Sequence, residues 1–173
     1  MTLSALPLLL LALFPAGVIV AALKDAVSFT IPNWISGLLV LAFIPTALAL
    51  HTPGGTVALC VLTAAVALVA GMAMFAMGWC GGGDAKLLAA SALWLGWQGL
   101  PAFLVVTGLA GGAIAAGLVT ARKHQLAGLV GLGPAWLTRL LTPGEDLPYG
   151  LAIAAGALAA FPSGALFQAM SGR

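Results

Sequence analysis

Four residues of this chain are acidic, and two of them, Asp25 and Asp84, stand where a charge is costly. Asp84 closes the run Cys80-Gly81-Gly82-Gly83-Asp84-Ala85-Lys86, which lies between two long apolar segments. Asp25 ends the first apolar segment, six residues ahead of Ile31-Pro32-Asn33. An acid kept at the edge of a bilayer by a chain with so few charges is expected to be used. Two carboxylates that share a site cannot both ionise cheaply, so the pair holds one proton between them. That is the equipment for splitting an amide with water. The ionised member draws a proton from water while the protonated member donates to the scissile carbonyl.

No other constellation competes with the two acids. The serines lack a matching histidine, because His51 falls on the opposite side of the expected membrane and His124 sits in a basic turn. Cys60 and Cys80 form no Cys-x-x-Cys pair, so no metal site is expected and no cofactor is called for. The glycines have a mechanical reading. Without a Cβ, residues Gly81, Gly82 and Gly83 let a bound peptide come close and offer backbone groups for strand-like pairing. Lys86 either positions substrate or tunes the acid pair, or it is an anchor that snorkels to the interface.

The elements that must carry these groups are membrane helices. The chain of 173 residues is 62% hydrophobic and 6% charged, against about a quarter charged in soluble domains. Its mean hydropathy of +1.17 and its unbroken apolar runs predict a multi-spanning helical protein. A transmembrane barrel would alternate apolar and polar residues, and these runs do not. The net charge of +2, with one basic cluster at Arg122-Lys123-His124, gives no reason to expect nucleic acid.

The expectation is one all-α membrane domain over 1–173, with spans at about 3–23, 34–50, 56–78, 85–98, 102–121 and 149–170. The first run lacks the basic start of a signal peptide and reads as a membrane helix. Pro32 biases Ile31 toward extended backbone, with Asn33 a plausible N-cap for the second span. The fourth span covers only about 20 Å against a hydrocarbon core of about 30 Å, so it starts below the membrane surface. Residues 98–101, Gln-Gly-Leu-Pro, read as the turn after it. The stretch 126–141, with Pro134, Trp136 and Arg139, reads as an interfacial helix between spans five and six.

With six spans and the amino terminus outside, Lys24, Lys86, Arg122, Lys123 and Arg139 fall on the cytoplasmic side, five of the six basic residues. Asp25 ends the first span and Asp84 begins the fourth. Two complete crossings separate them, so both carboxylates emerge on one face at similar depth. Their proximity within the plane is permitted by this argument and not required by it.

The two acids and their neighbours also resemble a family. Gly81-Gly82-Gly83-Asp84 reads as the G-x-G-D signature of intramembrane aspartyl proteases. Asp25 followed by Ile31-Pro32-Asn33, then by Gly-x-Gly-Asp-x-Lys, resembles type IV prepilin leader peptidases, and Pro148-Tyr149-Gly150 resembles their short members associated with Tad (Flp) pili. The resemblance implies an aspartic endopeptidase of the bacterial inner membrane with Asp25 and Asp84 as its catalytic pair. Its partners would be the bilayer and a prepilin with a basic leader and one apolar helix, cut at the cytoplasmic face. The amino-terminal cysteine-bearing insertion linked to N-methylation in longer members is absent, so proteolysis without N-methylation is expected.

Plainer readings stand beside these. Pro148-Tyr149-Gly150 is explained as a helix start with an interfacial aromatic, slightly in preference to an active-site role. Glu145 and Asp146 read as solvated loop charges, and Gly108 and Gly112 as a helix-packing pair. A small transporter using the two aspartates as a proton or ion relay is the alternative function. It predicts acids near the bilayer midplane and symmetry between halves, and the sequence has neither.

Overall fold

The computed structural model describes residues 5–123, 135–142 and 147–172. Its elements are α1 (Ala5–Ser28), α2 (Asn33–Ala49), α3 (Gly54–Ala76), α4 (Gly82–Lys123), α5 (Ala135–Leu141), α6 (Tyr149–Ala160) and α7 (Ala165–Ser171), with a 3-10 turn over Phe161–Ser163. Among the described residues all regular structure is helical. The expected Pro134 helix start, the acids Glu145 and Asp146, His124 and most of the 126–141 stretch lie outside them.

Four tracts are long and apolar enough to cross a membrane: α1, α3, α4 and 149–171. Helix α2 is apolar but has 17 residues, about 25 Å of rise. The expected fourth and fifth spans are joined in the 42-residue α4, and the break between them is not at 98–101. It lies at Gly96, with φ 61° and ψ −171°, while Pro101 sits inside the helix that follows. Glycine decides the place. A side chain there would be strained at this positive φ, and its Cβ would stand 3.0 Å from both Ala165 Cβ and Cys60 Sγ. The final span is interrupted too, by the 3-10 turn at Phe161–Ser163, where Pro162 cannot donate to a continuing helix.

The core gathers α1, α2, α4 and α6. Phe14 of α1 stacks on Trp94 of α4 at 5.3 Å, and Phe43 of α2 meets the same indole edge-on at 6.1 Å. The Trp94 indole N–H donates to the Leu39 carbonyl at 2.9 Å, so its one polar atom is satisfied in a fully apolar setting. Helix α6 closes on α4 through Gly156, where a Cβ would overlap Thr107 Oγ1 and stand 2.7 Å from the Phe103 carbonyl. Small residues let membrane helices approach this closely and gain packing that apolar lipid does not provide. Outward, Leu41, Val69 and Leu109 are exposed, as expected of faces turned to lipid rather than water.

Candidate active site

Asp25 is not at the end of its helix. Helix α1 continues to Ser28 and stops where Phe29 adopts φ 55°, with the Ser28 hydroxyl donating to the Lys24 carbonyl at 2.7 Å. One turn inside that end, Asp25 is buried, with 5% of its surface exposed. Its Oδ2 accepts a hydrogen bond of 2.7 Å from the backbone N–H of Gly150, 125 residues away. Gly150 is the second residue of α6, and the first N–H groups of a helix have no acceptor within it. Pro148, buried just ahead, starts the helix and aims that orphan donor at the carboxylate. Only glycine fits, because a Cβ at 150 would lie 2.8 Å from both Cβ and Oδ2 of Asp25.

Asp84 is held by its own helix start. The carbonyl of Gly81 accepts from the Ala85 N–H at 3.2 Å, which makes Gly81 the cap residue. The Oδ2 of Asp84 reaches back to accept from the Gly81 N–H at 3.0 Å, the reciprocal half of a capping box. The glycine run is consequently not a free strand, since Gly82 and Gly83 form the first turn of α4.

The two carboxylates line one cavity of about 230 Å³, together with Phe29, Gly78, Trp79, Cys80, Gly81, Leu147 and Tyr149. The fold thus brings together in one cavity two carboxylates whose proximity the order of spans only permits. A second, more apolar cavity of about 360 Å³ shares Trp79, Cys80, Asp84 and Tyr149 with the first and runs on past Leu88 and Ile153. Cys80 lies between them. Its Sγ approaches the Gly71 carbonyl at 3.9 Å, and burial, with the Asp84 charge second, pushes the thiol above its usual range.

Ile31, Pro32, Asn33, Gly82, Gly83 and Lys86 are not lining residues of this cavity. Ile31 is buried against Gly83, where a Cβ would meet Ile31 Cβ at 3.0 Å and its carbonyl oxygen at 3.1 Å. Asn33 is not the expected N-cap: it is the first residue of α2, Pro32 precedes it in extended conformation, and no side chain caps the helix. Its Oδ1 instead accepts a hydrogen bond from Lys86 Nζ at 2.8 Å.

Several lining residues escape a sequence reading. Trp79 and Cys80 adjoin the glycine run and were within reach, since they share its loop. Phe29 and Leu147 carried no signal. The guanidinium of Arg139 on α5 sits 4.8 Å from the centre of the Phe29 ring, which places α5 beside this wall. Among the described residues no group of three or more His, Cys, Asp or Glu side chains is placed to hold a metal.

The comparisons with known proteins bear on this geometry. The model of the type IV leader peptidase family matches residues 12–116, which include both aspartates. A prepilin leader peptidase/N-methyltransferase of Aeromonas hydrophila is 44% identical over 54 residues, 31% of this chain and 19% of that protein. One from Burkholderia pseudomallei (strain 1026b) is 36% identical over 92 residues, 53% of this chain and 24% of that protein. The matched stretch is thus a quarter or less of either relative. No solved structure matches the chain.

Proposed function

Because the chain belongs to the type IV leader peptidase family, we propose that it is a membrane-embedded aspartic endopeptidase whose catalytic residues are Asp25 and Asp84. The observation that carries the reading is the single cavity lined by both carboxylates. The pair shares one proton. Its ionised member takes a proton from a water held between the two, and its protonated member donates to the carbonyl oxygen of the scissile amide. The carboxylates then exchange roles as the tetrahedral intermediate releases the amine. Gly150 N–H and Gly81 N–H each fix one oxygen of an acid and so orient the two carboxylates. Trp79 and Tyr149 wall the cavity.

The substrate in this reading is a prepilin of the Flp-like type, with a short basic leader and one apolar helix in the bilayer, cleaved without N-methylation. The names of the relatives support prepilins as the class. The chain crosses the bacterial inner membrane six times, α2 and the two halves of α4 each counting as a crossing, with its amino terminus outside and α5 along the cytoplasmic interface. The placement of Lys24, Lys86, Arg122, Lys123 and Arg139 supports that orientation.

The test is co-expression with a prepilin, comparing wild type with Asp25→Asn and Asp84→Asn. Each variant is expected to leave the precursor uncut while accumulating in the membrane. Conversion by either at the wild-type rate overturns the assignment.

A further inference from the structure

Lys86 and Asn33 sit in the two motifs that flank the aspartates, yet neither side chain reaches the cavity that the aspartates line. They meet each other instead, 53 residues apart in sequence, with Lys86 Nζ donating to Asn33 Oδ1 at 2.8 Å. Both belong to the wall of a different and largely apolar groove between α2, α3 and α4, beside Val40, Leu41 and Leu68. Asp84 and Lys86 are two residues apart on one helix, so they face roughly opposite sides of it. A lysine acting on the carboxylates by its charge would face their cavity.

The second contact between the same two segments lies one turn away. Gly83 packs on Ile31 so closely that a Cβ would press on the Ile31 carbonyl and side chain together. The start of α4 is therefore gripped by 31–33 at two successive points, a steric one through Gly83 and a charge-assisted hydrogen bond through Lys86. Asp84 lies between those points in sequence, and Asp25 lies on the helix that leads into 31–33. The spacing of the two carboxylates is thereby tied to the join between the two motifs.

We propose that Lys86 and Asn33 are positioning residues, a clasp that sets the start of α4, and with it Asp84, against the end of α1 that carries Asp25. The proposal rests on the peptidase reading for its catalytic consequence, and its geometric content stands apart from that reading. Lys86 does not touch the reacting atoms. It acts through the placement of Asp84.

The experiment is a cycle of Lys86→Met, Asn33→Ala and the reciprocal exchange Asn33→Lys with Lys86→Asn, read in two ways. Leader cleavage is expected to lose about tenfold or more in kcat in each single variant, with KM little changed, because misplacing a catalytic group falls on the chemical step. The reciprocal exchange, which rebuilds the hydrogen bond with its ends swapped, is expected to recover most of that loss. The second readout needs no activity. In a Cys60→Ala background, maleimide labelling of Cys80, which is in the loop that leads into Gly81, is expected to speed up in both single variants and slow again in the exchange.

Wild-type kcat and labelling in Lys86→Met overturn the proposal, and so does a loss carried by KM with kcat unchanged, which would mean contact with the substrate. An exchange that recovers neither readout also overturns it, since it restores the bond even where a single variant folds poorly. If cleavage is absent in every protein including wild type while labelling follows the cycle, the clasp stands and the peptidase assignment falls.

Discussion

At Gly150 the requirement is for the absence of a side chain and the presence of an N–H. A Cβ there would stand 2.8 Å from Asp25 Oδ2, the oxygen that the N–H binds. Gly150→Ala is expected to displace the carboxylate and lower kcat by about a hundredfold, with little change in KM, in a leader-cleavage assay. Cys80 supplies a pH-dependent check of the same cavity. Its thiol is held above its usual range by burial and by Asp84, so at a given pH it carries less thiolate than an ordinary cysteine. Maleimide labelling is expected to stay slow until alkaline pH, and to accelerate at pH 8 in Asp84→Asn, which removes the charge and lets the thiol fall back toward its ordinary range. Equal rates in the two proteins would place Asp84 too far from Cys80 to matter. Asp25 and Asp84, which line one cavity, stood out in the sequence because acids are so rare in this chain and the expected topology put both on one face. Gly150 was not, and Pro148-Tyr149-Gly150 was slightly preferred as a mere helix start. A donor supplied by the backbone leaves no mark in side-chain types, and its acceptor is 125 residues away.

Among the elements, α4 departs most from its expected form. Glycine and proline were read at 98–101 as a turn, but proline is tolerated inside membrane helices, and the chain bends where a positive φ is needed. Several glycines precede the proline, and nothing local distinguishes Gly96 from Gly99. The choice comes from packing, since Gly96 faces Cys60 of α3 and Ala165 of α7. Gly96→Val is expected to destabilise the protein by about 1–3 kcal/mol through backbone strain and overpacking, read as a lower Tm in detergent. Gly156→Leu, which drives a side chain into Thr107 and the Phe103 carbonyl, is expected to do more, separating α6 from α4 and abolishing cleavage as well as lowering Tm. A Gly156→Leu protein with unchanged Tm would show that α6 does not pack on α4 here. The helical class and the starts of α2 and α3 were readable within a few residues, because apolar runs bounded by proline and glycine are a strong signal.

For the whole molecule, the proposed orientation puts the basic residues and the cavity on the cytoplasmic side. A reporter domain fused after Lys123 is expected to be functional only in its cytoplasm-active form, and one inserted in the turn at His51 only in its exported form. The reverse pattern would put the aspartates on the outer face and remove the leader of an unexported precursor from their reach. The hydrogen bond between Gly150 and Asp25 has a consequence for how such a protein comes into being. Asp25 leaves the ribosome before Asp84, and the donor that orients the first acid emerges after both, with α6. Until α6 is made, the Asp25 carboxylate lacks the N–H that orients it. In the proposed peptidase the pair of acids is complete only once α6 has joined the bundle, so the order of synthesis withholds activity as a pro-segment does in a soluble protease.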